Sequence, residues 1–334
     1  MSKPVDFKKE NPDFQVLSET EAAEAKEKIT SIIDNIETVI SGKRQQVELV
    51  TLCLLAGGHV LIEDIPGTGK TSMVAALAKT IDCGFSRIQF TPDVMPSDVS
   101  GFSIFNQKTG EFEFRKGAAM SNIVLADEIN RASAKTQSSM LEIMEERQVT
   151  VDSKTYKLES PFMVLATQNP IDSLGTYQLP EAQIDRFMIK ISMGYPSFDN
   201  EIGIILKGAQ NKKNISYVTT SADVVKLIES AEQVYVSRQM ASYIVHITTA
   251  SRNNPDVKLG SSPRGSIALL NLARAYALYK GRNYVEPEDI KYLAPFTLAH
   301  RLILTHAAKT AKKDPVAIIN DIVKSIAVPT GNDK

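Results

Sequence analysis

The run Pro66-Gly67-Thr68-Gly69-Lys70-Thr71-Ser72 has residue types suited to gripping a chain of phosphates. Glycines let backbone N–H groups approach phosphate oxygens, a lysine reaches the β- and γ-phosphates, and a threonine hydroxyl can ligate Mg²⁺. A short apolar segment, His59 to Ile65, precedes the run, and a helical pattern follows to about Ile81. A loop between a buried strand and a helix aims its N–H groups at one point, and the helix dipole adds positive potential there. Six residues before the lysine, where a phosphate loop usually has its first glycine, stands Asp64.

A second cluster completes the chemistry. Ile123-Val124-Leu125-Ala126 reads as a buried strand with Asp127 at its carboxyl end and Glu128 next. A carboxylate at that place can hold Mg²⁺ through water, and its neighbour can polarise an attacking water as a general base. Asn169 follows the strand-like Val164-Leu165-Ala166-Thr167 and would project from the same sheet edge. Its amide could orient the lytic water or sense the γ-phosphate. Arg186 falls just before the last apolar strand. In Ser262-Pro263-Arg264 the serine reads as an N-cap and the proline as the first turn. An arginine at a helix N-terminus opposes the dipole unless an anion is near, and ATP would be that anion. A structural ion pair is the alternative for either arginine.

The elements that must position these residues follow from the hydrophobic pattern. Residues 1–17 are polar and irregular and read as an arm. Ser18 and Glu21 form a capping box for a helix whose apolar residues run from Ala25 to Ile40, and a second helix covers about Gln45 to Ala56. Strand candidates at Ser86–Phe90, Ile123–Asp127, Phe162–Thr167 and Phe187–Ser192 are read as apolar throughout, as in a parallel sheet buried on both faces. Interleaved helices make this an α/β architecture. Two hairpins are inserted, at about 101–115 and 149–158. The α/β domain is expected over 18–195. Residues 196–334 read as an all-helical domain, with helices at about 198–211, 221–234, 237–252, 263–280, 287–303 and 315–326.

Composition excludes several classes. The net charge of −1 provides no bulk field toward nucleic acid or acidic lipid. Cys53 and Cys83 lack paired spacing, and the four histidines show no metal-ligand pattern, so they read as structural. No apolar run reaches the roughly 18 residues that span a membrane, and Met1-Ser2-Lys3-Pro4 opens no signal core. The expected location is cytoplasmic.

Six segments together resemble the MoxR family of AAA+ ATPases: Glu63 to Thr71, Gln89 to Pro96, Leu125 to Ala132, Leu165 to Pro170, Gly175 to Phe187 and Ser262 to Arg264. They span about residues 35–330. Asp64 in place of glycine is usual in that family. A departure is Gly117-Ala118-Ala119-Met120, where the family carries a Gly-Pro-Ile/Val-Phe type of segment. The resemblance implies a five-stranded parallel P-loop sheet sandwiched by helices, with a helical lid. It implies binding of ATP or ADP with Mg²⁺, Asn169 as sensor 1, Arg264 as sensor 2 and Arg186 as an arginine finger acting on a neighbour's ATP. Arg131 is a second candidate at the subunit boundary. The hairpins would be the helix-2 and pre-sensor-1 inserts, facing a pore or a client. It further implies a homo-oligomer, typically hexameric, that remodels or matures client proteins and inserts cofactors or metals, often with a von Willebrand factor A domain partner. Two competing expectations are a DNA-acting AAA+ motor and a nucleotide-dependent scaffold without turnover.

Overall fold

The computed structural model describes residues 16–40, 42–65, 67–169, 177–207 and 215–329. They divide into two compact units, one within Ser31 to Val225 and the other from Lys226 to 329 together with the described residues up to Thr30.

Among the described residues of the first unit nine strands appear: β1 Val60–Glu63, β2 Phe85–Gln89, β3 Gly101–Asn106, β4 Glu111–Lys116, β5 Ile123–Asp127, β6 Gln148–Val151, β7 Lys154–Lys157, β8 Met163–Gln168 and β9 Ile189–Ile191. Five of them form one sheet in the order β2-β5-β8-β1-β9, all parallel. The central strands β5 and β8 are buried along both faces, which is why their sequences are apolar without alternation. Strand β2 departs from that expectation. It lies at the sheet edge and only Ile88 is buried, so Ser86, Arg87 and Gln89 are tolerated there.

Parallel order puts every strand's carboxyl end on one edge. Register places Gln89 beside Asp127, Ala126 beside Ala166, and Ile62 beside Thr167. Crossover helices carry the chain back between strands. They include α3 Lys70–Thr80, α4 Pro96–Ser100 and α5 Ala134–Glu146, while α1 Glu19–Glu37 and α2 Arg44–Leu55 precede the first strand. The capping box at the start of α1 is present: Ser18 N–H donates to Glu21 Oε2 at 2.9 Å, and Glu21 N–H donates to Ser18 Oγ at 3.2 Å.

Both expected hairpins form. Strands β3 and β4 pair around the 107–110 turn, and β6 and β7 pair around Asp152 and Ser153, both with positive φ. Phe114 stacks on Tyr156 at 4.1 Å between ring centres and ties one hairpin to the other. The Gly117–Met120 segment docks on α4: Ala118 and Ala119 donate to the carbonyls of Asp98 and Val99. A Cβ at Gly117 would collide with backbone there, so this glycine is required by close approach.

After β9 the chain is mainly helical. The elements are α6 Glu181–Ile184, just before β9, then α7 Phe198–Lys207, α8 Ser221–Glu232, α9 Arg238–Arg252, α10 Pro263–Tyr279, α11 Pro287–Leu298, α12 His306–Thr310 and α13 Pro315–Ser325. The helix expected over 287–303 stops early. A 3₁₀ turn at Ala299–Arg301 leads into β11 Ile303–Leu304, which pairs antiparallel with β10 Val257–Leu259. Strands of three and two residues are too short for a period to register in sequence. No helix among the described residues is long and apolar enough to cross a membrane.

His59 pins the first unit's layers together. Its Nδ1 accepts from Val164 N–H at 3.0 Å and its Nε2 lies 3.0 Å from the Met144 carbonyl, so the ring is held neutral with the proton on Nε2. Burial pushes its pKa down to about 4. As pH falls below about 6.5 the unfolded chain takes up a proton that the folded chain refuses, so stability is lost between pH 6.5 and 4. A shift of that size is worth about 3 kcal/mol. Denaturant unfolding at pH 7, 5.5 and 4.5 should show this loss, and His59→Gln should flatten the pH dependence.

Candidate functional site

Strand β1 stops at Glu63, and Asp64 extends its pairing by one bond, N–H to the Gln168 carbonyl at 3.1 Å. The loop then turns through Gly67 and Gly69, both left-handed at φ 84° and 87°. Pro66 lies outside the described residues. Gly69 is the N-cap of α3 and has no side chain to accept from the first turn, so the N–H groups of Lys70, Thr71 and Ser72 are left for a ligand. Lys70 Nζ folds back onto its own loop, donating to the carbonyls of Asp64 at 3.2 Å and Ile65 at 3.0 Å. Thr68 Oγ1 contacts the Ile65 carbonyl at 3.5 Å.

Asp64 explains its own departure from glycine. Its carboxylate accepts three backbone N–H groups: Ile65 at 2.8 Å, Met193 at 2.8 Å and Gly194 at 2.9 Å. Lys43 Nζ grips the same turn from its carbonyl side, reaching Met193 O at 2.5 Å and Tyr195 O at 2.7 Å. The residue is 6 % exposed, so the bonds form largely out of water. It anchors the phosphate loop to the chain leaving β9. Replacing it with alanine would leave three backbone donors short of an acceptor, at a cost of about 2–3 kcal/mol. Denaturant unfolding of Asp64→Ala should show that loss, with Asp64→Asn intermediate because an amide oxygen recovers part of the set.

The acidic pair sits across the loop. Thr167 Oγ1 donates to Asp127 Oδ1 at 2.6 Å and accepts from Glu128 N–H at 2.8 Å. Glu128 adopts a left-handed conformation, φ 55°, as the chain leaves β5 for the 3₁₀ turn Ile129–Arg131. Two side chains from the edge strand also enter. Arg87 Nη2 lies 2.6 Å from Asp127 Oδ2 and 2.9 Å from Gln89 Oε1, and Gln89 Nε2 donates to Glu128 Oε2 at 3.1 Å. Arg131 Nη1 meets that same Glu128 oxygen at 3.0 Å. Arg87, Gln89 and Thr167 belong to none of the site residues expected from sequence. The available signal was a pair of polar residues two apart in a strand, which places both on one face.

These groups enclose a cavity of about 430 Å³, lined by the described phosphate-loop residues Asp64 and Gly67 to Ser72, by Asp127 and Glu128, and by Asn169. The expected convergence of Gly67, Thr68, Gly69, Lys70, Thr71, Ser72, Asp127, Glu128 and Asn169 is therefore present in one cleft. The donor set fits a polyphosphate with a hard cation: N–H groups and an ammonium on one wall, hydroxyl and carboxylate oxygens on the other. Arg186 is not among the lining residues. It donates to the Leu141 carbonyl at 2.6 Å and pairs with Glu145 at 3.1 Å. Arg264 is the second residue of α10 and is exposed, in the other compact unit. Ser262 occupies the N-cap of α10 but makes no capping bond through its side chain.

Comparison with known proteins agrees with this geometry. A family model described as ATPase family associated with various cellular activities (AAA) matches residues 59–189, and an AAA lid domain model matches 249–322. The chain is 52% identical to the uncharacterized protein YeaC of Bacillus subtilis, over 89% of this chain and 93% of that protein. It is 41% identical to Chaperone MoxR1 of Mycobacterium tuberculosis, over 90% of this chain and 82% of that protein. A crystal structure from Cytophaga hutchinsonii, assigned as an ATPase, superposes with a TM-score of 0.88 at 38% identity, covering 93% of this chain and 98% of that one. The chain belongs to the MoxR family of AAA+ ATPases and is an ATP hydrolase.

Proposed function

We propose that the chain hydrolyses ATP within a homo-oligomeric ring, most simply a hexamer, and couples turnover to remodelling or maturing client proteins. The observation that carries this reading is the convergence of Lys70, Asp127 and Glu128 on one cleft while Arg186 stands outside it. Lys70 and the first-turn N–H groups of α3 would hold the β- and γ-phosphates. Thr71 and Asp127 would hold Mg²⁺, Asp127 through water. When bound, that ion would offset the negative charge of the phosphates. Glu128 would draw the proton from the attacking water, and Asn169 would orient that water. Arg264 would act as a second sensor of bound nucleotide.

Arg186 would serve the neighbouring subunit's site, with Arg131 as a second residue at that boundary. The exposed aromatics of the first hairpin, Phe102, Phe105 and Phe112, offer an apolar grip for a client chain. The relative named as a chaperone supports a client-directed role, and the family resemblance supports cofactor or metal insertion with a von Willebrand factor A domain partner.

Glu128→Gln should retain ATP binding and lose hydrolysis by roughly 10²- to 10⁴-fold, the usual value of a general base. Lys70→Ala should lose nucleotide binding itself. Fluorescent-nucleotide titration beside phosphate-release kinetics separates the two effects. Full turnover in Glu128→Gln would remove that residue from the chemistry.

A further inference from the structure

Arg87 and Gln89 stand two residues apart on β2 and share one face of the edge strand. The Arg87 guanidinium crosses to β5 and meets Asp127 Oδ2 at 2.6 Å, while Thr167 already occupies Oδ1. Both carboxylate oxygens are therefore engaged by the protein itself. The Asp127 side chain is 13% exposed, so its negative charge is poorly hydrated and calls for a counter-charge. Arg87 supplies one from a side chain that is 46% exposed, and a half-exposed ion pair is readily broken. The same Nη2 also bonds Gln89 Oε1, which turns the Gln89 amide nitrogen toward Glu128.

Resting on the reading that Asp127 holds a divalent cation, two positive groups contend for one carboxylate. Mg²⁺ keeps several waters and meets such a carboxylate in a demanding octahedral shell. A guanidinium on that carboxylate repels the ion and competes with the ion's coordinated water for the carboxylate oxygens. We propose that Arg87 is a positioning residue, a built-in counter-cation that holds Asp127 and yields it when a divalent ion binds. It thereby sets the concentration of free ion that the site requires. The pair offsets the Asp127 charge, as Arg131 offsets that of Glu128.

The test is binding of Mn²⁺ to the full chain with saturating ADP, followed by electron paramagnetic resonance of the free ion. Arg87→Met removes the charge and should tighten Mn²⁺ binding by about tenfold. Arg87→Gln, also neutral but still a donor, should tighten it in the same way and serves if the methionine variant does not fold. Arg87→Lys keeps the charge and should stay near the wild-type midpoint. Unchanged or weaker Mn²⁺ binding in both neutral variants would overturn the proposal, and weaker binding would assign Arg87 to orienting Asp127 for the ion. A wild-type chain that binds no ADP would overturn the nucleotide reading, and this inference with it, before any variant is compared.

Discussion

One hydroxyl holds the two acidic residues in relation to each other. Thr167 Oγ1 donates to the Asp127 carboxylate and accepts from the Glu128 backbone N–H, at 2.6 and 2.8 Å. Both bonds require β5 and β8 to lie side by side, parallel, with Ala126 opposite Ala166. A slip of one residue would turn Thr167 to the opposite face of the sheet and break both bonds. The apolar pattern of β5 and β8 is the same on both faces, so what opposes such a slip is close side-chain packing and these two polar bonds. Sheet packing and the geometry of the acidic pair are thus one constraint.

The phosphate loop is tied to that edge by a second polar element. Asp64 joins the end of β1 to the turn after β9, and Lys43 closes the turn from the other side. The loop is therefore braced at its entry, while its glycines keep the backbone open where phosphates would sit. Rigid strands on one side and a braced loop on the other leave the side chains as the adjustable parts. Lys70, Arg87 and Gln89 each bond to protein groups that a ligand could displace.

Much of this was legible in the sequence because local backbone demands write themselves into residue types. Gly67 and Gly69 must take positive φ, β5 must be apolar, and Asp127 must follow it. The hairpins showed through alternating aromatics and turn residues. What could not be read depends on contacts between distant segments. Asp64 and Met193 are 129 residues apart, and only the fold reveals that the carboxylate serves the backbone rather than a phosphate. Arg87 gained meaning once β2 was known to lie next to β5. The β10–β11 ribbon escaped because two- and three-residue strands carry no period.

We propose that one chain holds part of a working site and that a neighbour completes it. Arg186 lies off its own cavity, bonded to Leu141 and Glu145, while the phosphate loop and the acidic pair are assembled in cis. An arginine supplied in trans is worth roughly 10³- to 10⁵-fold in rate. The most direct test mixes two inactive variants, Arg186→Ala and Lys70→Ala, and measures ATP hydrolysis. Mixed oligomers should recover activity, since an intact Arg186 from one subunit would face an intact Lys70 site on the next. Mixtures that stay inactive while wild-type oligomers turn over would contradict the account.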